Sequence, residues 1–192
     1  ELRQALPNLK INSVYIWGMW GIGKSALARR ALQRPGRKGI INDVLIIPCD
    51  KTQPADILKL MAAWFEPHFP EAAQALLNPQ LPPEQRIQIA AQHVKRQRMV
   101  MVLDRFDAYL QLSQDGFHYE VPNPKLESFI STIATASWSV LTIFTIRFRW
   151  RALNTFDPKN CQEIHLNTLA PYEVGMMFAR LDHLKKLDFK ML

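Results

Sequence analysis

The chain of 192 residues has only two cysteines, Cys49 and Cys161, far apart and in no metal-ligand spacing. They read as two buried free thiols, which fits a reducing, cytoplasmic setting. The histidines at positions 68, 93, 118, 165 and 183 form no H-x-x-x-H pair, so no zinc site is expected. No apolar run is long. The longest, near Val140–Ile146, falls far short of the ~20 residues a membrane span needs, which excludes a helical membrane anchor here. No charged start followed by an apolar core opens the chain, so no secretory signal is read. The first residue is Glu1 rather than Met, which suggests a fragment of a larger protein. No internal repeat and no low-complexity tract is present.

What is present is a near-even balance of apolar and polar residues, 48% hydrophobic, with a formal net charge of +7. This describes a soluble globular domain with a substantial core. The basic excess lies at Arg29-Arg30, Arg34 to Lys38, Lys95 to Arg98 and Arg147 to Arg151. A solvated basic surface accounts for it better than a nucleic-acid face.

Apolar runs alternate with helical periodicity. Strands are expected at Ser13–Trp17, Val44–Pro48, Met99–Leu103, Ser139–Thr145 and Gln162–Leu166. Helices are expected at Lys24–Gln33, Pro54–Phe65, Glu84–Arg98, Leu126–Ala136 and Pro171–Leu181. Arg34-Pro-Gly36 reads as a helix break, Pro67 and Pro70 as stops, and 111–124 as a polar loop. Uninterrupted apolar strands imply burial on both faces. The expected fold is therefore α/β, a three-layer sandwich with a mainly parallel five-stranded sheet, which the motif Gly18-Met-Trp-Gly-Ile-Gly-Lys24-Ser25 makes the P-loop NTPase fold. Residues 1–12 form a lead-in, 13–181 the domain, and 182–192 the start of a linker or helical lid.

One motif carries the chemistry. Gly18-Met-Trp-Gly-Ile-Gly-Lys24-Ser25 has the spacing G-x-x-x-x-G-K-[ST] between an apolar strand and a helix. Glycines let the backbone curl so that successive amides point at a phosphate, and the helix adds its positive end. Gly18, Gly21, Ile22, Gly23, Lys24, Ser25 and Ala26 are the expected phosphate-binding residues. Lys24 neutralises phosphate charge, and the Ser25 hydroxyl holds Mg²⁺. Met99-Val-Met-Val-Leu-Asp104 ends an apolar strand in an acid suited to the same metal. Arg105 follows, where a water-activating acid is common in ATPases. Asp107 is the nearest remaining carboxylate and acts either as base or as a cap of the segment that follows. Arg147, ending the strand Leu141–Ile146, reads as a γ-phosphate sensor or as a surface cation paired with an acid. Trp20 is expected to point outward.

These motifs resemble those of the STAND class of signalling ATPases, of the NB-ARC/NACHT-like type. Gly18–Ala28 resembles that family's phosphate loop, Val100–Asp104 its second motif, and Thr145-Ile-Arg147 its sensor strand. His165–Leu169 followed by Tyr172–Phe178 resembles the strand and helix before its lid. The resemblance implies a slow Mg²⁺-dependent ATPase that binds ATP/ADP, with Lys24, Asp104, Asp107 and Arg147 in catalytic roles and Ser25 and Asp104 on the metal. It implies a regulatory switch in signal transduction or defence, homo-oligomerisation on ADP/ATP exchange, and flanking sensor and effector domains outside this chain. The second reading is a nucleic-acid-associated AAA-like ATPase.

Overall fold

The computed structural model describes residues 10–37, 41–94, 98–136 and 138–168, with side chains at 34–37 left aside. The expected helix Pro171–Leu181 and the two terminal segments, 1–9 and 182–192, lie outside these residues.

Among the described residues there are seven strands: β1 Ser13–Gly18, β2 Asp43–Pro48, β3 Met99–Asp104, β4 Gln111–Leu112, β5 Tyr119–Glu120, β6 Val140–Ile146 and β7 Cys161–Leu166. The α-helices are α1 Lys24–Arg37, α2 Ile57–Phe65, α3 Pro70–Leu77, α4 Pro83–His93 and α5 Pro124–Thr135. Five strands form one sheet in the order β2-β3-β6-β1-β7, every neighbouring pair parallel. β4 and β5 form a small antiparallel hairpin.

The two-residue period of a strand divides the core. Val14 and Ile16, Val100 and Val102, and Leu141 and Ile143 face one side, where Ala28, Ala31 and Leu32 of α1 cover them. Tyr15, Met99, Met101, Leu103, Phe144 and Ile146 face the other, under α2 to α5. On that second side aromatic rings meet directly: Tyr15 stacks on Phe144 at 4.4 Å, and Phe106 and Trp150 pack around them. Both faces are buried, which is why β3 and β6 carry unbroken apolar runs.

Several boundaries differ from expectation. α1 runs on through Pro35 to Arg37. Proline removes one hydrogen bond and crowds the carbonyl four residues back, but two residues from the helix end only the last turn has to yield. α2 is preceded by a 3₁₀ turn, Pro54–Asp56, and ends at Phe65. Pro70 does not only stop a helix; it opens α3 from the first position, where its missing N–H has no partner to lose. α4 ends at His93, short of the basic run. α5 starts at Pro124, because the Asn123 side chain accepts from the amides of Lys125 and Leu126. The expected polar loop contains the β4–β5 hairpin, whose two-residue strands are too short for an alternation signal.

Candidate phosphate-loop site

The parallel sheet puts the carboxyl ends of β1, β3 and β6 at one edge. A cavity of about 570 Å³ opens there, in the range of ligand pockets. Lys24, Ser25, Asp50, Arg105, Asp107 and Arg147 are on its wall.

The loop between β1 and α1 has its shape because of three glycines with positive φ, Gly18, Gly21 and Gly23. Gly18 has φ +151, and a Cβ there would stand 2.4 Å from the Leu166 carbonyl oxygen. Gly21 has φ +77 with open space around it. The Trp20 indole stands clear of the turn, 85% exposed. Ile22, Gly23 and Ala26 complete the turn and the first helical residues, and the Leu27 amide already donates to the Gly23 carbonyl.

Register brings the polar groups together. Leu103 pairs with Phe144, which sets Asp104 beside Thr145 on the face α1 covers. Asp104 is buried at 4% exposure. Its Oδ1 accepts from Ser25 Oγ at 2.6 Å and from Thr145 Oγ1 at 2.6 Å. Arg29 lies 3.7 Å from its other oxygen. The Lys24 ammonium donates to the carbonyls of Gly18 and Met19, each at 2.8 Å. Burial lowers the Lys24 pKa and nearby Arg147 adds to this, while Asp107 and Asp104 oppose it. Of the sequence-proposed residues, Lys24, Ser25 and Asp104 therefore converge beneath the loop.

The other two, Asp107 and Arg147, hold each other. Arg147 Nε donates to Asp107 Oδ2 at 2.6 Å, and the Arg147 amide donates to Oδ1 at 3.2 Å. This is the paired arrangement rather than a cation standing alone over the cavity. Three participants were not read as site residues. Thr145 stands in the sequence only within the strand ending and sensor-like motif Thr145-Ile-Arg147, without a role of its own; strand parity with Asp104 is the signal that finds it. Asp50, just past β2, forms an ion pair with Arg105. Arg105 itself has φ 57, the left-handed region, which costs a non-glycine residue on the order of 1–2 kcal/mol. Its amide donates to Thr145 Oγ1 at 2.8 Å.

The donor set fits one metal. Ser25 Oγ and Asp104 Oδ1 are hard oxygens in contact, and Mg²⁺ is commonly held by one or two protein oxygens with waters and phosphate completing its shell. Among the described residues no cluster of three His, Cys, Asp or Glu forms an all-protein cage, which would suit a different ion. Mg²⁺ at this position would neutralise phosphate charge. Cys49 is buried and Cys161 partly so, and both thiols are free. Among the described residues no helix is long and apolar enough to cross a membrane.

No family model matches the chain, and no curated protein matches it. Solved structures do resemble it. A chain of the E. coli MS115-1 HORMA:CdnC:Trip13 complex aligns at 12% identity with a TM-score of 0.55, over 94% of this chain and 57% of that one. A chain from Rif2 in complex with the C-terminal domain of Rap1 aligns at 13% identity and TM-score 0.45, over 98% and 57%. A Rhizobiales Trip13 aligns at 14% and TM-score 0.35, over 85% and 47%. The chain thus spans about half the length of these structures.

These findings correct the family reading. The likeness that bears weight is to a chain of a HORMA:CdnC:Trip13 assembly, and no family model places the chain in the STAND class. STAND, NB-ARC or NACHT membership, the ADP/ATP-exchange switch and the assembly into a wheel are withdrawn. So is the nucleic-acid-associated AAA-like ATPase. The labels that went with them, from Walker A and P-loop NTPase to ATP-binding, hydrolase, signal transduction and defence, lose their family support; ATP/ADP and Mg²⁺ as ligands rest on the geometry of the site alone. The physical reason is that strand–glycine loop–helix motifs are short and specify local geometry, not lineage. What stands is an α/β architecture with a parallel five-stranded sheet and a small antiparallel one.

Proposed function

We propose that this chain is a regulatory adaptor module that holds a magnesium-bound nucleoside polyphosphate, ATP or ADP, and presents surfaces to protein partners. The finer architecture in this proposal is a three-layer α/β sandwich with the ligand at the carboxyl edge of its sheet. One observation carries it: Ser25 and Asp104, 79 residues apart, meet at 2.6 Å directly under a glycine loop at a helix N-terminus. Lys24, folded onto the loop's own carbonyls, has in a phosphate a better acceptor at hand.

The carboxylates of the site are engaged. Asp104 accepts two hydroxyls, Asp107 holds Arg147, and Asp50 holds Arg105. A carboxylate acting as general base would have to turn from these partners toward the attacking water, so the arrangement favours retention of the ligand over turnover. Partner proteins are inferred from the HORMA:CdnC:Trip13 likeness and from Met19 and Trp20 of the glycine loop, exposed 70% and 85%.

Titration calorimetry with Mg²⁺ and ATP or ADP tests this. Micromolar binding, about −8 kcal/mol, that is lost in Lys24→Ala is the expected result. No heat with the wild-type chain sinks the site, and phosphate release above ~1 s⁻¹ sinks the retention model. A Trp20→Ser variant should keep its ligand affinity; a tenfold loss would move the indole from partner surface to ligand site.

A further inference from the structure

The cavity wall carries two guanidinium groups, Arg105 and Arg147, and they are held very differently. Arg147 is gripped by Asp107 through both backbone and side chain, and the Asp107 side chain is only 9% exposed. Arg105 has a single carboxylate partner, Asp50, and that pair is open to water, 60% and 30% exposed. Solvent screens such a pair, so little opposes its exchange for another anion.

The backbone of Arg105, by contrast, is fixed. It follows Asp104 directly, and its amide donates to Thr145 Oγ1, the hydroxyl that itself donates to Asp104. Among the described residues it is the one non-glycine with positive φ, an outlier that the surrounding contacts sustain. A strained, anchored main chain carrying a loosely paired guanidinium into the cavity of Lys24 and Ser25 is an arrangement for ligand contact.

We propose that Arg105 is a ligand-contacting, specificity-determining residue of this site. Its guanidinium exchanges Asp50 for the outermost phosphate of a bound polyphosphate, so the site distinguishes polyphosphate chains by length. This rests on the polyphosphate reading above. The chemistry is that of a planar fork meeting a group with two or three anionic oxygens, which returns more hydrogen bonds than the single exposed carboxylate it leaves.

The test is calorimetry with Mg²⁺ and four probes: ATP, ADP, inorganic tripolyphosphate and pyrophosphate. Arg105→Gln is expected to weaken ATP and tripolyphosphate by roughly ten- to a hundredfold, and ADP and pyrophosphate by less than about threefold. Arg105→Lys should recover part of the loss. Asp50→Asn, which frees the guanidinium, should tighten ATP several-fold in the wild-type background and leave it unchanged in Arg105→Gln. Equal losses for long and short probes, or an Asp50→Asn effect that persists without Arg105, overturns the proposal while leaving the site standing. Failure of the wild-type chain to bind any probe overturns both. An unchanged thermal midpoint in each variant ties the losses to contact rather than folding.

Discussion

The Ser25 hydroxyl and the Asp104 carboxylate share a hydrogen bond of 2.6 Å that ties the first turn of α1 to the end of β3. Thr145 Oγ1 donates to the same Oδ1. Asp104→Ala strips both hydroxyls of their acceptor, with Thr145 almost wholly buried. A loss of about 1–3 kcal/mol is expected in urea denaturation. Asp104→Asn retains one acceptor oxygen and should cost less, yet should abolish the Mg²⁺ dependence of nucleotide binding. Retained Mg²⁺ dependence in that variant would remove the carboxylate from the metal.

Two glycines of one loop should respond differently to the same methyl group. In Gly18→Ala the new Cβ meets the Leu166 carbonyl at 2.4 Å, a backbone atom that cannot swing aside. A cost of about 2–5 kcal/mol follows, from overpacking and positive φ together. In Gly21→Ala nothing lies within 4 Å, so only the left-handed backbone is penalised, by about 1–2 kcal/mol. Comparable thermal midpoints for the two variants would contradict this account of the turn.

Arg105→Gly should raise stability while lowering function. Glycine adopts φ 57 without strain, and the exposed pair with Asp50 contributes little. A gain approaching 1 kcal/mol is expected, alongside weaker ATP binding. A variant that is both less stable and equally good at binding would refute the strain argument.

Burial pushes the Cys49 thiol up from 9.0 to about 12. The folded chain therefore keeps a proton that the unfolded chain releases. The resulting stability is complete below the unfolded value near 9 and is lost as pH rises through the folded value near 12. The slope contributed is at most about 1.4 kcal/mol per pH unit. Urea midpoints at rising alkaline pH should fall more steeply in the wild-type chain than in Cys49→Ala. Native Cys49 should also react with a thiol reagent more slowly than Cys161, which is less buried; the opposite order would contradict its burial.

The legible parts of this chain were those where one local rule acts alone. Val14–Trp17, Met99–Leu103 and Leu141–Ile146 are apolar because both sheet faces are covered, so their runs announced the strands. The glycine spacing announced the loop, and Asp104 followed from the strand before it. What stayed hidden depends on pairs of distant residues. Nothing local says that Pro70 begins a helix rather than ending one, since both roles exploit the same missing N–H. Gln111–Leu112 and Tyr119–Glu120 become strands only by meeting each other. The Arg147–Asp107 and Arg105–Asp50 pairs join segments 40 and 55 positions apart, and charge alone does not choose between a partner acid and a ligand. Family membership was the least legible of all, because a loop chemistry that many lineages share cannot distinguish them.

The tight fit of Gly18 against Leu166 has a bearing on how the sheet finishes itself. β7 is an outermost strand among the described residues, and outermost strands are prone to slide along their neighbour. Here the absent side chain at the end of β1 forms a notch that admits one particular carbonyl, with Gly18 opposite Leu166 in the register. A slip by one residue would carry that carbonyl out of its seat and turn Ile164 from the core toward water. The same bare α-carbon that lets the chain curl into the glycine loop thus also sets the stopping point of β7.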